Sequence, residues 1–229
     1  MSKKIERRKL FKISLGALAS APLLTSAGQA VAEVCAGKTP AQTEGPFYPV
    51  DTRTERDWDL TVLNGRTTSA LGEKIYIVGR VTDQNCDPVS GAIVEIWQAA
   101  ASGRYNHPGD TSGLALDPNF QYWGRVLTDD DGRYLFKTII PGDYPASSTW
   151  QRPPHVHYKV QKRGYRELTT QMYFGGNALN DRDLILGGLP AAERSKVIVD
   201  MQKPGVNPDT GTSLDLRWGS FDLGIVKLG

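Results

Sequence analysis

Hydrophobic and polar residues along this chain follow the two-residue period of strands far more than the 3.6-residue period of helices. "KIYIVGRVTD" (74–83) mixes β-branched and aromatic residues and ends in the turn "DQNCDP". "GAIVEIWQA" (91–99) sets Ile93, Glu95 and Trp97 against Val94, Ile96 and Gln98. "TDDDGRYLFKTI" (128–139) is an Asp-Gly turn leading into an alternating strand, which "PGDYP" closes. "HVHYKVQ" (155–161), "LTTQMYF" (168–174) and "SFDLGIVKL" (220–228) predict three further strands. Residues 100–122 read as a long loop, and 190–202 hold one short helix starting at Pro190. Short strands without βα alternation predict an all-β fold, an antiparallel β-sandwich with long loops and at most a short helix. It forms one domain over 33–229, led by an extended, Pro/Gly-punctuated arm over 33–57.

The N-terminus departs from this pattern. "MSKKIERRKLFK" is basic, the next stretch is moderately apolar, and Ala30-Val31-Ala32 has the form of a small-x-small cleavage site. Residues 1–32 therefore read as an export signal. Arg7-Arg8 before Lys9-Leu10-Phe11 gives it a twin-arginine character, with an ordinary secretory signal as the alternative. The expected destination is the periplasm or the medium. No later stretch is apolar and long enough to predict a stable membrane anchor. The signal carries six Lys/Arg and one Glu, +5, so the formal +2 of the whole chain becomes −3 after cleavage. That charge gives no reason to expect a nucleic-acid partner. Two cysteines, Cys35 and Cys86, read in an exported protein as a possible disulfide pinning the arm to the body, or as two free thiols.

Histidine is scarce, with three in the chain, and two of them, His155 and His157, stand two apart on one predicted strand. Residues i and i+2 share a face, so both imidazoles can reach one metal ion. Further ligands must come from other segments. Scarce cysteine argues against thiolate-zinc sites. The His-x-Asp/Glu spacing of Fe(II) facial triads is also absent, because His157 stands where the carboxylate would be.

"TEGPFYP", "GAIVEIWQ", "GRYNHPGD", "LDPNFQYWGRVLTDDDGRYLFKTIIPGDYP", "RPPHVHYKV" and "TTQMYF" occur in this order. Together they resemble the intradiol ring-cleavage dioxygenases, especially the protocatechuate 3,4-dioxygenase type, from about residue 40 to the end. The resemblance implies an Fe(III) site held by Tyr105 of "GRY", Tyr144 of "PGDYP", His155 and His157. It also implies a catechol-type substrate and O2 as co-substrate, with Tyr144, Arg152 and Gln171 acting in catalysis. His107 receives no ligand role and reads as a loop residue. The implied ligand set is chemically coherent. Phenolate is a hard anionic donor suited to a ferric ion, and a bound cation lets a tyrosine of pKa about 10 ionise at neutral pH. One departure stands out: the protocatechuate enzymes commonly have Tyr-Pro-Trp where this chain has Tyr144-Pro145-Ala146, which opens one side of the implied pocket. The long helical dimerisation segment of catechol 1,2-dioxygenases has no room here, although a homo-oligomer remains compatible with the sequence.

A second reading belongs to another class. The glycine-turn and "TDDDGRYLF…PGDYP" frame also resembles transthyretin-like and carboxypeptidase-regulatory-like sandwich modules, which bind rather than catalyse. Those modules lack the Tyr105, Tyr144, His155, His157 set.

Overall fold

The computed structural model describes residues 37–50 and 55–229. The signal assigned to 1–32 and Cys35, the expected partner of Cys86, lie outside the described residues. No helix among the described residues is long and apolar enough to cross a membrane.

The strands are β1 (Lys74–Thr82), β2 (Ile93–Trp97), β3 (Trp123–Leu127), β4 (Arg133–Ile139), β5 (Tyr144–Ser147), β6 (Trp150–Arg152), β7 (His155–Gln161), β8 (Tyr165–Arg166) and β9 (Leu168–Phe174). A 3-10 turn at Ala178–Arg182 and two four-residue helices, α1 (Leu184–Gly187) and α2 (Ala191–Arg194), follow. The chain ends with β10 (Ile198–Val199), β11 (Gly205–Val206), β12 (Ser213–Leu214), β13 (Arg217–Ser220), β14 (Leu223–Gly224) and β15 (Val226–Lys227). One sheet runs β10-β9-β7-β2-β3; the other is built on β1, with β4 antiparallel to it and β13 and β14 parallel to it.

The two sheets enclose one apolar core. It takes Ile75, Ile77 and Val81 from β1, Phe136 from β4, Val94 and Ile96 from β2, Val156, Tyr158 and Val160 from β7, and Met172 from β9. Along β7 the even-numbered residues face this core, as the period of two requires. Six of the seven β7 residues are nonetheless buried, the odd ones included. The outer face of the sheet must therefore be covered, and the N-terminal arm covers it. Thr39 exchanges hydrogen bonds with Gly224 (3.1 and 2.8 Å), and Gln42 N–H donates to Thr169 O (2.8 Å). Tyr48 Oη donates to the buried Glu95 (2.8 Å), and Lys159 lies 3.9 Å over the Tyr48 ring while pairing with Glu44.

Several expectations are corrected. The sandwich is not purely antiparallel, because β13, β14 and β10 lie parallel to their neighbours. β1 and β13 are more than a hundred residues apart, and so long a connection permits a parallel return. Residues 220–228 form pieces of three short strands rather than one: β13 and β14 pair with successive stretches of β1, and β15 pairs with β8. "GRVL", inside the run from 123, is a strand, β3. "PGDYP" opens a hairpin, β5–β6, instead of simply closing β4. The helix expected from Pro190 is α2, with Pro190 as its N-cap, and α1 precedes it.

Candidate metal centre

The outer face of the five-stranded sheet carries the site. In β7 the register pairs His157 with Trp97 of β2 and Gln171 of β9, and His155 with Tyr173 of β9. Directly paired residues share a face, so these five side chains form one patch. His155 Nε2 and His157 Nε2 stand 3.2 Å apart, and both rings are buried. The His157 ring stacks on Trp97 with centroids 4.9 Å apart and planes 9° from parallel. Gly45 of the arm passes so close that a Cβ there would sit 3.4 Å from His157 Cε1.

Two loops bring the phenols. Tyr105 lies beyond β2, where Asp110 clamps its loop: the carboxylate accepts from Tyr105 N–H (2.7 Å), Ser112 N–H (2.9 Å) and Arg104 Nη1 (3.1 Å). Tyr144 begins β5, directly paired with Arg152 of β6. The two loops touch backbone to backbone. A Cβ on Gly142 would lie 2.5 Å from both Ala101 O and Gly103 N, and Gly103, at φ +84°, packs against Asp143 O. Only glycine fits this crossing. It places the Tyr105 and Tyr144 rings edge to face at 5.4 Å and Tyr105 Oη 3.4 Å from His155 Nε2. Phe47 of the arm bridges both rings, at 4.7 and 6.1 Å.

All four sequence-derived ligand candidates therefore meet at one buried point. Their chemistry suits a metal ion. Burial pushes His155 down to about 3, and Arg152 nearby adds to the effect; burial and the neighbouring His155 and Arg152 hold His157 well below the usual range. Both imidazoles are thus neutral, the form that binds metals. His155 Nδ1 faces Pro153 O at 2.7 Å, which assigns the proton to Nδ1 and a lone pair to Nε2. That lone pair points toward His157 Nε2 and Tyr105 Oη, an arrangement a cation stabilises. Burial raises Tyr105 well above the ordinary phenol range, and it raises Tyr144 against the opposing pull of Arg152. A highly charged cation reverses that shift by favouring the phenolate. Among the described residues no group of three His, Cys, Asp or Glu side chains could hold a metal. The hard donors beside the histidines are the phenols, and two phenolates with two neutral imidazoles fit ferric iron.

Arg152 is buried beside this centre. Its Nε donates to Asp183 Oδ2 (2.7 Å), and its Nη2 donates to Gln171 Oε1 (2.7 Å) and Tyr173 Oη (3.3 Å). Gln171 is at the site as expected, but both ends of its amide are engaged, because Nε2 donates to Thr43 O (2.9 Å). His107 stays out of the ligand group: its Nδ1 accepts from Gly109 N–H (3.0 Å). Ala146 is exposed on the β5–β6 hairpin, on the side where the sequence anticipates an open wall. Sequence reasoning missed Asp183, Phe47, Tyr173 and Gln42, whose Nε2 donates to Tyr173 Oη (3.2 Å). Only their positions in the fold distinguish them from ordinary polar and aromatic residues.

A family model described as "Dioxygenase" matches residues 43–218. The protocatechuate 3,4-dioxygenase beta chain of Burkholderia cepacia is 42% identical over 157 residues, covering 67% of this chain and 66% of that one. Catechol 1,2-dioxygenase 1 of Acinetobacter lwoffii is 34% identical over 203 residues, covering 83% of this chain and 60% of that one. The chain thus spans less than two thirds of the length of these curated relatives. Among solved structures, the dioxygenase domain of a dioxygenase carbohydrate-binding protein fusion from Streptomyces sp. SirexAA-E superposes with a TM-score of 0.60 at 28% identity, covering 84% of this chain and 99% of that domain. None of these matches lends support to the binding-module reading.

Proposed function

Because the chain belongs to the intradiol ring-cleavage dioxygenase family, we propose that it cleaves a catechol-type ring between the two hydroxyl-bearing carbons. Both atoms of O2 enter a muconate-type dicarboxylic acid. The observation that carries this reading is the convergence of two neutral imidazoles and two phenols at one buried point, beside a buried guanidinium.

Tyr105, Tyr144, His155 and His157 would hold Fe(III), which supplies Lewis-acid polarisation and a template for the catechol oxygens. Burial raises both phenols and the charge of Arg152 opposes it at both, but only at Tyr144 does Arg152 also act through a hydrogen bond, so Tyr144 Oη is suited to take a proton from an incoming catechol hydroxyl. Arg152 presents a fixed positive charge to the anion that develops on the substrate. Gln171 fixes that guanidinium and ties it to the arm at Thr43. Phe47, Trp97 and Tyr48 wall the site with aromatic surface, which excludes water and offers a face to an aromatic ring.

The test is iron reconstitution of the full mature chain. A broad visible ferric-tyrosinate band, O2 uptake with catechol or protocatechuate, and both label atoms of isotopically heavy O2 in a ring-opened diacid are expected. A colourless, iron-free protein after reconstitution would defeat the reading.

The sequence also supports export through a twin-arginine-type signal over 1–32 and a Cys35–Cys86 disulfide in the exported protein. Replacing Arg7 and Arg8 by lysine should retain the precursor inside the cell. Peptide mapping without reductant should recover the linked cysteines, and two alkylatable thiols would exclude the bond.

A further inference from the structure

We propose that Asp183 is a positioning residue for the proposed ring-cleavage reaction: it clamps Arg152, and the segment 177–187 exists to hold that clamp. The inference rests on the function proposed above. Asp183 is the junction of the 3-10 turn and α1. Its side chain is fully buried, and that of Arg152 is 4% exposed. The Asp183 carboxylate serves the helix and the guanidinium together. Oδ1 accepts from Ile185 N–H (3.1 Å) and Leu186 N–H (2.8 Å), capping α1, and also stands 3.5 Å from Arg152 Nη2 and Tyr173 Oη. Oδ2 accepts from Arg152 Nε at 2.7 Å.

Capping alone does not account for a carboxylate here. Serine or asparagine caps a helix as well as aspartate does, without the cost of burying a charge. A four-residue helix is also too short to persist unless packing and caps hold it. What the buried charge matches is the guanidinium. With Asp183 on Nε, and Gln171 and Tyr173 on Nη2, one edge of Arg152 is fully engaged, and Trp150 lies 5.4 Å from its Cζ. Arg152 is paired across the hairpin with Tyr144. Its orientation is therefore set before substrate arrives, so no reorganisation is needed as charge develops. Without the carboxylate, a buried cation is left unpaired and must swing toward another acceptor or toward water.

Three variants of the full iron-loaded chain separate positioning from capping, with catechol as substrate. Asp183→Ala removes both roles. Asp183→Ser keeps the cap but is too short to reach Arg152. Asp183→Asn keeps the cap and an acceptor for Nε. Asp183→Ala and Asp183→Ser should each lower kcat about 10–100-fold, the scale for losing an outer-shell partner, while KM stays within about 3-fold. The visible band should persist, since no ligand is touched, and Asp183→Asn should recover most of kcat. In the metal-free protein, nitrogen-labelled NMR should show the Arg152 Nε–H protected from exchange in wild type and Asp183→Asn, and unprotected in Asp183→Ser. If Asp183→Ala does not fold, Asp183→Ser carries the test. Wild-type kcat or a protected Nε–H in Asp183→Ser would reduce Asp183 to a helix cap and overturn the proposal. A wild-type chain that loads iron but consumes no catechol would instead sink the ring-cleavage reading, while the Nε–H comparison would still decide whether Asp183 fixes Arg152.

Discussion

Replacing Gly142 by alanine perturbs the backbone crossing that brings the two phenol-bearing loops together. The added Cβ would lie 2.5 Å from Ala101 O and Gly103 N, about 0.9 Å short of ordinary contact at 3.4 Å. Both obstacles are backbone atoms, so no side chain can rotate away. The strands that anchor Tyr144 and the Asp110 clamp behind Tyr105 are themselves bonded, so the loops must part by most of that shortfall. Overpacking of this kind costs about 1–3 kcal/mol of stability. The effect on the site is larger, because a misplacement of about 1 Å can cost about 100-fold in rate. The fold should therefore survive, by circular dichroism and a cooperative urea transition, while kcat falls about 100-fold and the visible band shifts or weakens. Gly205→Ala, away from the site, is the control, since a Cβ there meets nothing nearer than Lys203 O at 3.9 Å. If Gly142→Ala keeps the wild-type band and turnover, the loop crossing does not position the phenols and the steric argument is wrong.

Tyr144→Phe removes one phenol of the site and should shift or abolish the visible band and slow turnover; an unchanged spectrum and rate would remove Tyr144 from the ligand set. The metal-free fold should lose stability on mild acidification. The folded pKa of His155 is depressed to about 3 and that of His157 lies well below normal, so their contribution is complete above the unfolded value and is lost as pH falls from there toward the folded one. With unfolded values near 6.5, two such groups cost about 4 kcal/mol between pH 7.5 and 5, read as a fall in the urea midpoint; a flat profile would mean that the imidazoles are solvated. Gly224→Ala places a Cβ against Gly37 O and should lift the arm, exposing 37–48 to protease and reducing turnover; equal protease resistance would show that the arm does not depend on this anchor.

The period of two placed His155 and His157 on one face of a strand, and β7 spans the predicted 155–161 without change. β9 is equally legible at 168–174: in β7 Val, Tyr and Val alternate with polar residues, and β9 is rich in Leu, Thr, Tyr and Phe and ends at the Gly175-Gly176 turn. The parallel returns of β13 and β14 are not legible, since a strand's own pattern does not name its partner. Tyr105 and Tyr144 stood out only by resemblance to a family. Each is one aromatic among many, and nothing local distinguishes a ligand from a packing residue. Their meeting depends on two loops about forty residues apart crossing at Gly103 and Gly142, a steric fact that exists only once the sheet has formed. Asp183 is more hidden still, because its local pattern is that of a helix cap and its charge has meaning only beside Arg152. Local alternation determined which residues form strands and which face each shares, because backbone geometry fixes those by itself. The tertiary structure decided which loops converge on that face and which buried charges meet there. Those outcomes depend on contacts between residues far apart in the chain, which no local pattern contains.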